Sequence, residues 1–341
     1  MNIPSSKSIK TALFSWLLEH SGEEYLAAYI PPLSKWLSRY GTINEAWVKP
    51  GLYRLFQENG FHLVRNHYYG VLPDTRNLSK SWWEQPTYEY AYNLIPKADD
   101  SEELFERVMH WSDDLRGIPR EQAEGFYWNN PMFPPLDAIV LYGMMREYRP
   151  RNLVEVGSGF STEIALLAAQ HTQTAIHCIE PYPSARLLAN QTRLLALTQV
   201  SLQEINLEVF EKLQANDILF IDTTHAVKIN SDVNHFLFNI FPRLAPGVIV
   251  HIHDIFLPYE YPQRWYEENS IFWNEQYLLL AYLMENPALE LLLPNYALSL
   301  RHKASLRARL GNFDIWDLTA NLGNASGASF WLRKSLHAGR R

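Results

Sequence analysis

The sequence predicts an α/β fold, a mostly parallel sheet with helices on both faces, preceded by a mostly helical region. Two observations carry this. From residue 152 onward, short apolar runs alternate with segments whose apolar residues recur at helical spacing, the pattern of repeated βα units. Between the first such run and the first such segment lies a glycine turn, Gly157-Ser158-Gly159. Strand, tight turn and helix present backbone N–H groups and a positive helix end to a ligand.

Taken in order, residues 1–10 are polar. Over 11–40 the apolar residues keep a helical period broken at Pro31-Pro32, which predicts two helices, the second ended by Gly41. A short helix over 52–59 closes at Gly60. Residues 61–76 are aromatic without a clean period, and 77–125 give helical segments such as 99–115. Tyr127-Trp128-Asn129-Asn130, followed by Pro131, Pro134 and Pro135, marks the expected junction. Two domains are therefore expected: 1–130, a helical cap, substrate-recognition element or plain structural arm, and 131–335, the ligand-binding domain. A helix over 137–147 stops before Pro150. The alternation then runs strand 153–156, helix 163–170 opened by Thr162, strand 175–179, helix 183–197, strand 200–205, helix 207–214, strand 217–221, helix 231–244, and strand 248–252. After an aperiodic stretch to Ser270 come helix 271–284 and strands 289–293 and 329–332.

Ligands of such sheets bind at the carboxyl ends of the strands. There the first strand offers Glu155 and the turn, in which Gly157 can take a φ closed to other residues and Gly159 lets a ligand touch the backbone. The second strand ends in Glu180, placed to accept hydrogen bonds from ribose hydroxyls. A dinucleotide fingerprint would need a third glycine where Thr162 stands, which counts against NAD or FAD. The fourth strand ends in Asp222, followed by Thr223, Thr224 and His225; the fifth ends in His251-Ile252-His253-Asp254. His251 and His253, two apart on a strand, face the same way. Asp222, Asp254, His253 and His225 can converge there, and two carboxylates with a nearby imidazole make a site for a hard divalent cation such as Mg²⁺. Asp222, His225 and His253 are the candidate catalytic groups: a cation eases loss of a hydroxyl proton, and a neighbouring carboxylate or imidazole takes it.

At these residues the chain resembles the class I S-adenosylmethionine-dependent methyltransferases. Glu155, Gly157 and Gly159 match the acid-x-Gly-x-Gly of their first motif, and Glu180 matches their ribose-binding acid. Phe220-Ile221-Asp222 and His251-Ile252-His253-Asp254 are similar to the metal-dependent O-methyltransferases of the macrocin and catechol type, a likeness that implies Asp222, His253 and Asp254 as metal ligands, although His253 stands where those carry a carboxylate or an amide. The resemblance covers 131–335. It implies a Rossmann-like methyltransferase fold of seven strands with the last one antiparallel. It also implies a cosubstrate site at Glu155, Gly157, Ser158, Gly159, Ser161, Thr162, Glu180 and Asp222, and methyl transfer to a hydroxyl of a sugar or natural-product-like small molecule. Two alternatives stand beside it. An NAD(P)-linked oxidoreductase would need a hydride site, and no Tyr-x-x-x-Lys lies near the sheet edge. A non-catalytic nucleoside-binding module would act through the N-terminal region.

Composition bounds the rest. A net charge of −7 argues against a general nucleic-acid or anionic-membrane binder, since both need a basic face. Hydrophobic content of 47% and charged content of 20% suit a globular protein with a sizeable core. The single cysteine, Cys178, permits no intramolecular disulfide, lies in an apolar strand as an inert thiol, and points to a reducing compartment such as the cytoplasm. No apolar run reaches the roughly eighteen residues of a membrane span. Residues 11–18 read as an amphipathic helix rather than a signal peptide. The expected partner is a small-molecule acceptor; the chain is compatible with a homo-oligomer.

Overall fold

The computed structural model describes residues 23–83, 88, 99–318 and 327–335. The expected features at 1–10 and 11–18 lie outside the described residues. The chain divides into two compact units, Met1–Leu78 and Ser79–Arg341. In the first, α1 (Glu23–Trp36) runs through Pro31 and Pro32 instead of breaking there, which corrects the two-helix expectation. Helix α2 (Pro50–Glu58) has proline at its first position, where no N–H is needed, and ends before Gly60 at φ +84°.

The second unit carries the sheet and begins well before residue 131. Helix α3 (Asp99–His110) belongs to it, because Leu104, Phe105, Val108 and Met109 are buried in the same core as Ile139 and Val140 of α4 (Pro135–Tyr148). The crossing of α3 and α4 is close: a Cβ on Gly143 would stand 2.3 Å from the Val108 carbonyl oxygen. The junction expected at 130 was drawn from prolines. The apolar face of α3 is buried in the core of the sheet unit, which starts at Ser79.

The sheet has seven strands in the order β3-β2-β1-β4-β5-β7-β6. In chain order the elements are β1 (Asn152–Val156), α5 (Phe160–Thr172), β2 (Ala175–Ile179), β3 (Ala196–Thr198), β4 (Ile218–Ile221), β5 (Ile249–Ile252), α6 (Glu275–Leu283), β6 (Leu289–Pro294), α7 (Asn295–Arg301), α8 (Lys303–Gly311) and β7 (Phe330–Lys334). β1 to β5 pair in parallel, and β7 lies antiparallel between β5 and β6. Period-two alternation sends neighbouring side chains to opposite faces. Leu153, Ile176, Cys178, Ile218, Phe220 and Ile249 face the core made with α3, α4 and α5. Val154, Val156, Ile179, Leu219, Ile221 and Val250 face a second core closed by 233–244 and α6. Among the described residues no helix is long and apolar enough to cross a membrane.

Three local expectations are corrected. The helix expected over 183–197 is one short helix, Ala185–Ala189, capped by the Ser184 side chain, then a tight turn and β3. The strand expected over 200–205 is a 3₁₀ turn, Leu202–Glu204, held by Ser201 Oγ donating to Glu204 at 2.7 Å. The segment 231–244 starts helical at Asp232–His235 and then widens and tightens in turn, with Pro242 in its last turn.

Candidate active site

The glycine turn is held from below. Glu155, 1% exposed, accepts hydrogen bonds from Ser161 Oγ and Thr162 Oγ1, both at 2.6 Å, and from the Cys178 thiol at 3.3 Å. Ser161 and Thr162 are also buried. These three residues therefore brace the turn from inside rather than lining an open pocket. Burial pushes the Glu155 carboxyl up to about 7, against the pull of its hydroxyl donors. Burial likewise pushes the Cys178 thiol well up, as an inert cysteine requires.

The raised Glu155 pKa has a testable consequence. Its folded value lies above the ordinary 4.5, so the stabilisation it carries is full below about pH 4.5 and is lost as pH rises to about 7. Removing the charge in Glu155→Gln is expected to improve the variant's stability relative to the wild type, by on the order of a few kcal/mol, on going from pH 4.5 to 8. Urea unfolding at the two pH values measures it; a pH-independent difference contradicts this account of Glu155.

Above the brace, Gly157 has φ +76°, and a Cβ there would stand 1.7 Å from the Asp222 carbonyl oxygen. Only glycine fits both conditions. Gly159 differs: its φ is −173°, and a Cβ would meet nothing within 4 Å, so the space above it is open. Glu180 turns toward the loop, accepting the Ser158 N–H at 3.2 Å and the Tyr182 N–H at 2.8 Å. Of the expected cosubstrate residues, Gly157, Ser158, Gly159, Glu180 and Asp222 are partly exposed.

The second half of the site lies beside it at the ends of β4 and β5. His225 Nε2 is 3.2 Å from Asp222 Oδ1 and 3.5 Å from Asp254 Oδ2. His253 Nδ1 is 3.7 Å from Asp222 Oδ2 and 3.5 Å from Asp254 Oδ1. Both imidazoles are buried, and the aspartate side chains are 31% and 15% exposed. Ligand atoms of Asp222, His225 and Asp254 all lie within 4.8 Å of one another. Of the three ligands expected, the two aspartates stand in this cluster with His225, and His253 faces the same two carboxylates.

Each histidine is braced from behind. His225 Nδ1 meets Glu275 Oε2 at 2.8 Å, and His253 Nε2 meets Asp137 Oδ2 at 3.2 Å. Asp137, completely buried, also accepts from the N–H groups of Ala328 and Ser329 and from Asn295 Nδ2. Sequence reasoning missed both braces. The sequence shows each only as an acid in the first turn of a mostly apolar helix, as at any ordinary helix start. His251 faces the same side as His253, as the strand period requires, but stacks on Phe220 and bonds Ser329 Oγ, away from the carboxylates.

The electrostatics follow from this ring of groups. Burial works against charge on His225, but Asp222 and Glu275 outweigh it and lift its pKa to about 10. His253 is also raised well above its ordinary value, against burial, by Asp254, Asp222 and Asp137. In return, although burial acts to raise it, Asp222 is held at about 2 by His253 and His225. His225 (φ +55°) and Asp254 (φ +56°) both sit in the left-handed region, a conformation costing roughly 1 kcal/mol or more for a non-glycine residue. The N–H groups of Asn274 and Glu275 clamp the His225 carbonyl. In the loop before α6, Tyr261 and Trp265 pack in an aromatic cluster rather than lining an opening, and Trp273 lies tilted against the His225 ring, centroids 4.2 Å apart.

Comparison with known proteins meets the geometry at this point. The profile of a methyltransferase-domain family matches residues 154–255, from β1 to just past Asp254. An uncharacterized protein of Archaeoglobus fulgidus is 37% identical over 98 residues, 27% of this chain and 44% of that one, so the chain spans under half of that relative's length. Among solved structures, the SAH-bound Podospora anserina methyltransferase PaMTH1 superposes with a TM-score of 0.31 at 15% identity, over 60% of this chain and 86% of that one. Geranyl diphosphate methyltransferase, solved with GPP and sinefungin, gives 0.27 at 13% identity, over 87% and 96%. The family match places a methyltransferase domain over residues 154–255, and the seven-stranded order with its antiparallel β7 is the Rossmann-like methyltransferase fold that the resemblance implies.

Proposed function

We propose that the chain transfers the methyl group of S-adenosylmethionine to a hydroxyl oxygen of a small molecule, assisted by a divalent cation held by Asp222, His225 and Asp254. One observation carries the proposal: Asp222 belongs to both halves of the site. Its carbonyl oxygen is the surface on which Gly157 closes, and its carboxylate faces both imidazoles. The methyl-donor turn and the carboxylate pair are therefore built as one assembly.

In this reading the backbone of Gly157, Ser158 and Gly159 cradles the cosubstrate, and Glu180 accepts from its ribose hydroxyls. A cation at the carboxylates supplies positive charge that makes an acceptor hydroxyl easier to deprotonate. The donor set fits one: two carboxylates and an imidazole converge, and the buried Nδ1 of His253 has no hydrogen-bond partner. Asp222 and Asp254, both partly exposed, meet the acceptor, with the buried His225 and His253 behind them. Trp273, half-buried against His225, borders the acceptor side. The chain's main contribution is orientation of the two reactants. The likeness to macrocin- and catechol-type enzymes at Asp222 and Asp254 supports a sugar or natural-product-like hydroxyl as acceptor.

The test is release of S-adenosylhomocysteine in the presence of catechols, phenols and glycosides, before and after chelation. Turnover with a hydroxyl acceptor that falls at least ~100-fold on chelation and returns with added cation is expected. Transfer only to amines would remove the oxygen acceptor, and turnover indifferent to chelation would remove the cation.

A further inference from the structure

We infer that the cation site selects a first-row transition ion that favours imidazole nitrogen, of the Fe²⁺, Co²⁺ or Zn²⁺ kind, over Mg²⁺ and Ca²⁺, and that Glu275 positions its nitrogen ligand. This rests on the divalent-cation reading above and narrows it.

His225 Nε2 stands 3.2 and 3.5 Å from one oxygen of each aspartate. Neighbouring ligands of an ion bound at about 2.1 Å are separated by about 3.0–3.4 Å, so these groups need little movement to share one. Mg²⁺ seeks oxygen and retains its waters, and it gains little from a nitrogen donor. Later first-row ions bind imidazole progressively better. A histidine at the centre of the cluster is therefore a choice of ion.

Two further features point the same way. The far nitrogen of His225 meets Glu275 Oε2 at 2.8 Å, both side chains being at least nine-tenths buried. A carboxylate on the outer nitrogen is how a metal-bound imidazole is oriented and made more basic. The backbone is committed to aiming this ring, since His225 keeps φ +55° under the two amides of the α6 N-terminus. Independently, His253 presents an unpartnered Nδ1, from a ring 2% exposed, to the same two aspartates at 3.5 and 3.7 Å. Its outer nitrogen is held by Asp137. Two imidazoles with buried carboxylates behind them thus converge on two aspartates.

The experiment is titration of the full chain with Co²⁺, followed by visible absorption, and with Mg²⁺, followed by calorimetry. Both are repeated on His225→Asn and Glu275→Gln, with thermal melting to show that each variant folds. The expected results are one site, Co²⁺ bound at least ~100-fold more tightly than Mg²⁺, visible bands that shift and weaken in His225→Asn, and about 10–100-fold weaker Co²⁺ binding in Glu275→Gln. Mg²⁺ affinity within about tenfold of Co²⁺, or a Co²⁺ spectrum unchanged in both folded variants, overturns the selectivity and leaves the divalent-cation reading standing. Failure of both ions to bind overturns the two together.

Discussion

Replacing Gly157 by alanine is expected to abolish measurable S-adenosylmethionine binding, a loss of at least ~100-fold, and to lower the melting temperature. The added Cβ would stand 1.7 Å from the Asp222 carbonyl oxygen, far inside contact, on a residue whose φ of +76° already disfavours any side chain. The obstacle is backbone, so no rotamer relieves it. The turn must lift from β4, and Asp222 must leave its place against β1, where its N–H donates to the Val156 carbonyl at 2.9 Å. Both halves of the site are displaced by one methyl group. Gly159→Ala separates this effect from a simple ligand clash. Its Cβ enters open space at an extended φ, so the variant is expected to melt like the wild type and to lose affinity only where the methyl group takes cosubstrate space. Equal melting temperatures for Gly157→Ala and the wild type, with binding retained, contradict the proposed construction of the turn.

Asp222→Asn is expected to lower methyl transfer by about 10²–10⁴-fold while leaving S-adenosylmethionine binding within a few-fold of the wild type. The amide keeps the size of the side chain and the backbone on which Gly157 closes. It removes the negative charge that two raised imidazoles hold at a pKa of about 2. The oxygen left behind is a weaker cation ligand, and the replaced oxygen becomes a donor facing His225 or His253. Asp254→Asn is expected to act in the same direction. Kinetics and cosubstrate titration on the same preparation give the answer: retained turnover in both variants removes the catalytic role of the carboxylates. Loss of cosubstrate binding in Asp222→Asn would mean that the carboxylate serves the donor half.

The parts of this site that could be read from sequence are those written in consecutive residues. Apolar run, glycine turn and helix located β1 and α5 to within a few residues, and β2 matched from Ala175 to Ile179. Asp222, His253 and Asp254 were legible as candidates because strand ends in a parallel sheet share one edge. What was missed depends on distant contacts. Nothing local distinguishes Asp137 from an acid in the first turn of a helix, because its partners are 116 and 191 residues away. Glu275 braces His225 only because the loop before α6 folds back over β4. Ser201-x-x-Glu204 carried its own warning, since a serine with glutamate three residues on caps a helical turn and does not start a strand. The prolines at 131–135 mark the start of α4, yet the sheet unit begins earlier because the face of α3 is buried against it.

The central claim is that the glycine turn and Glu180 bind S-adenosylmethionine. Calorimetric titration of the purified chain with S-adenosylmethionine, with NAD in parallel, tests it most directly. One-site binding of S-adenosylmethionine, weakened at least ~10-fold by Glu180→Ala and absent for NAD, is the predicted result. NAD binding in its place, or S-adenosylmethionine binding that Glu180→Ala leaves unchanged, would contradict the account.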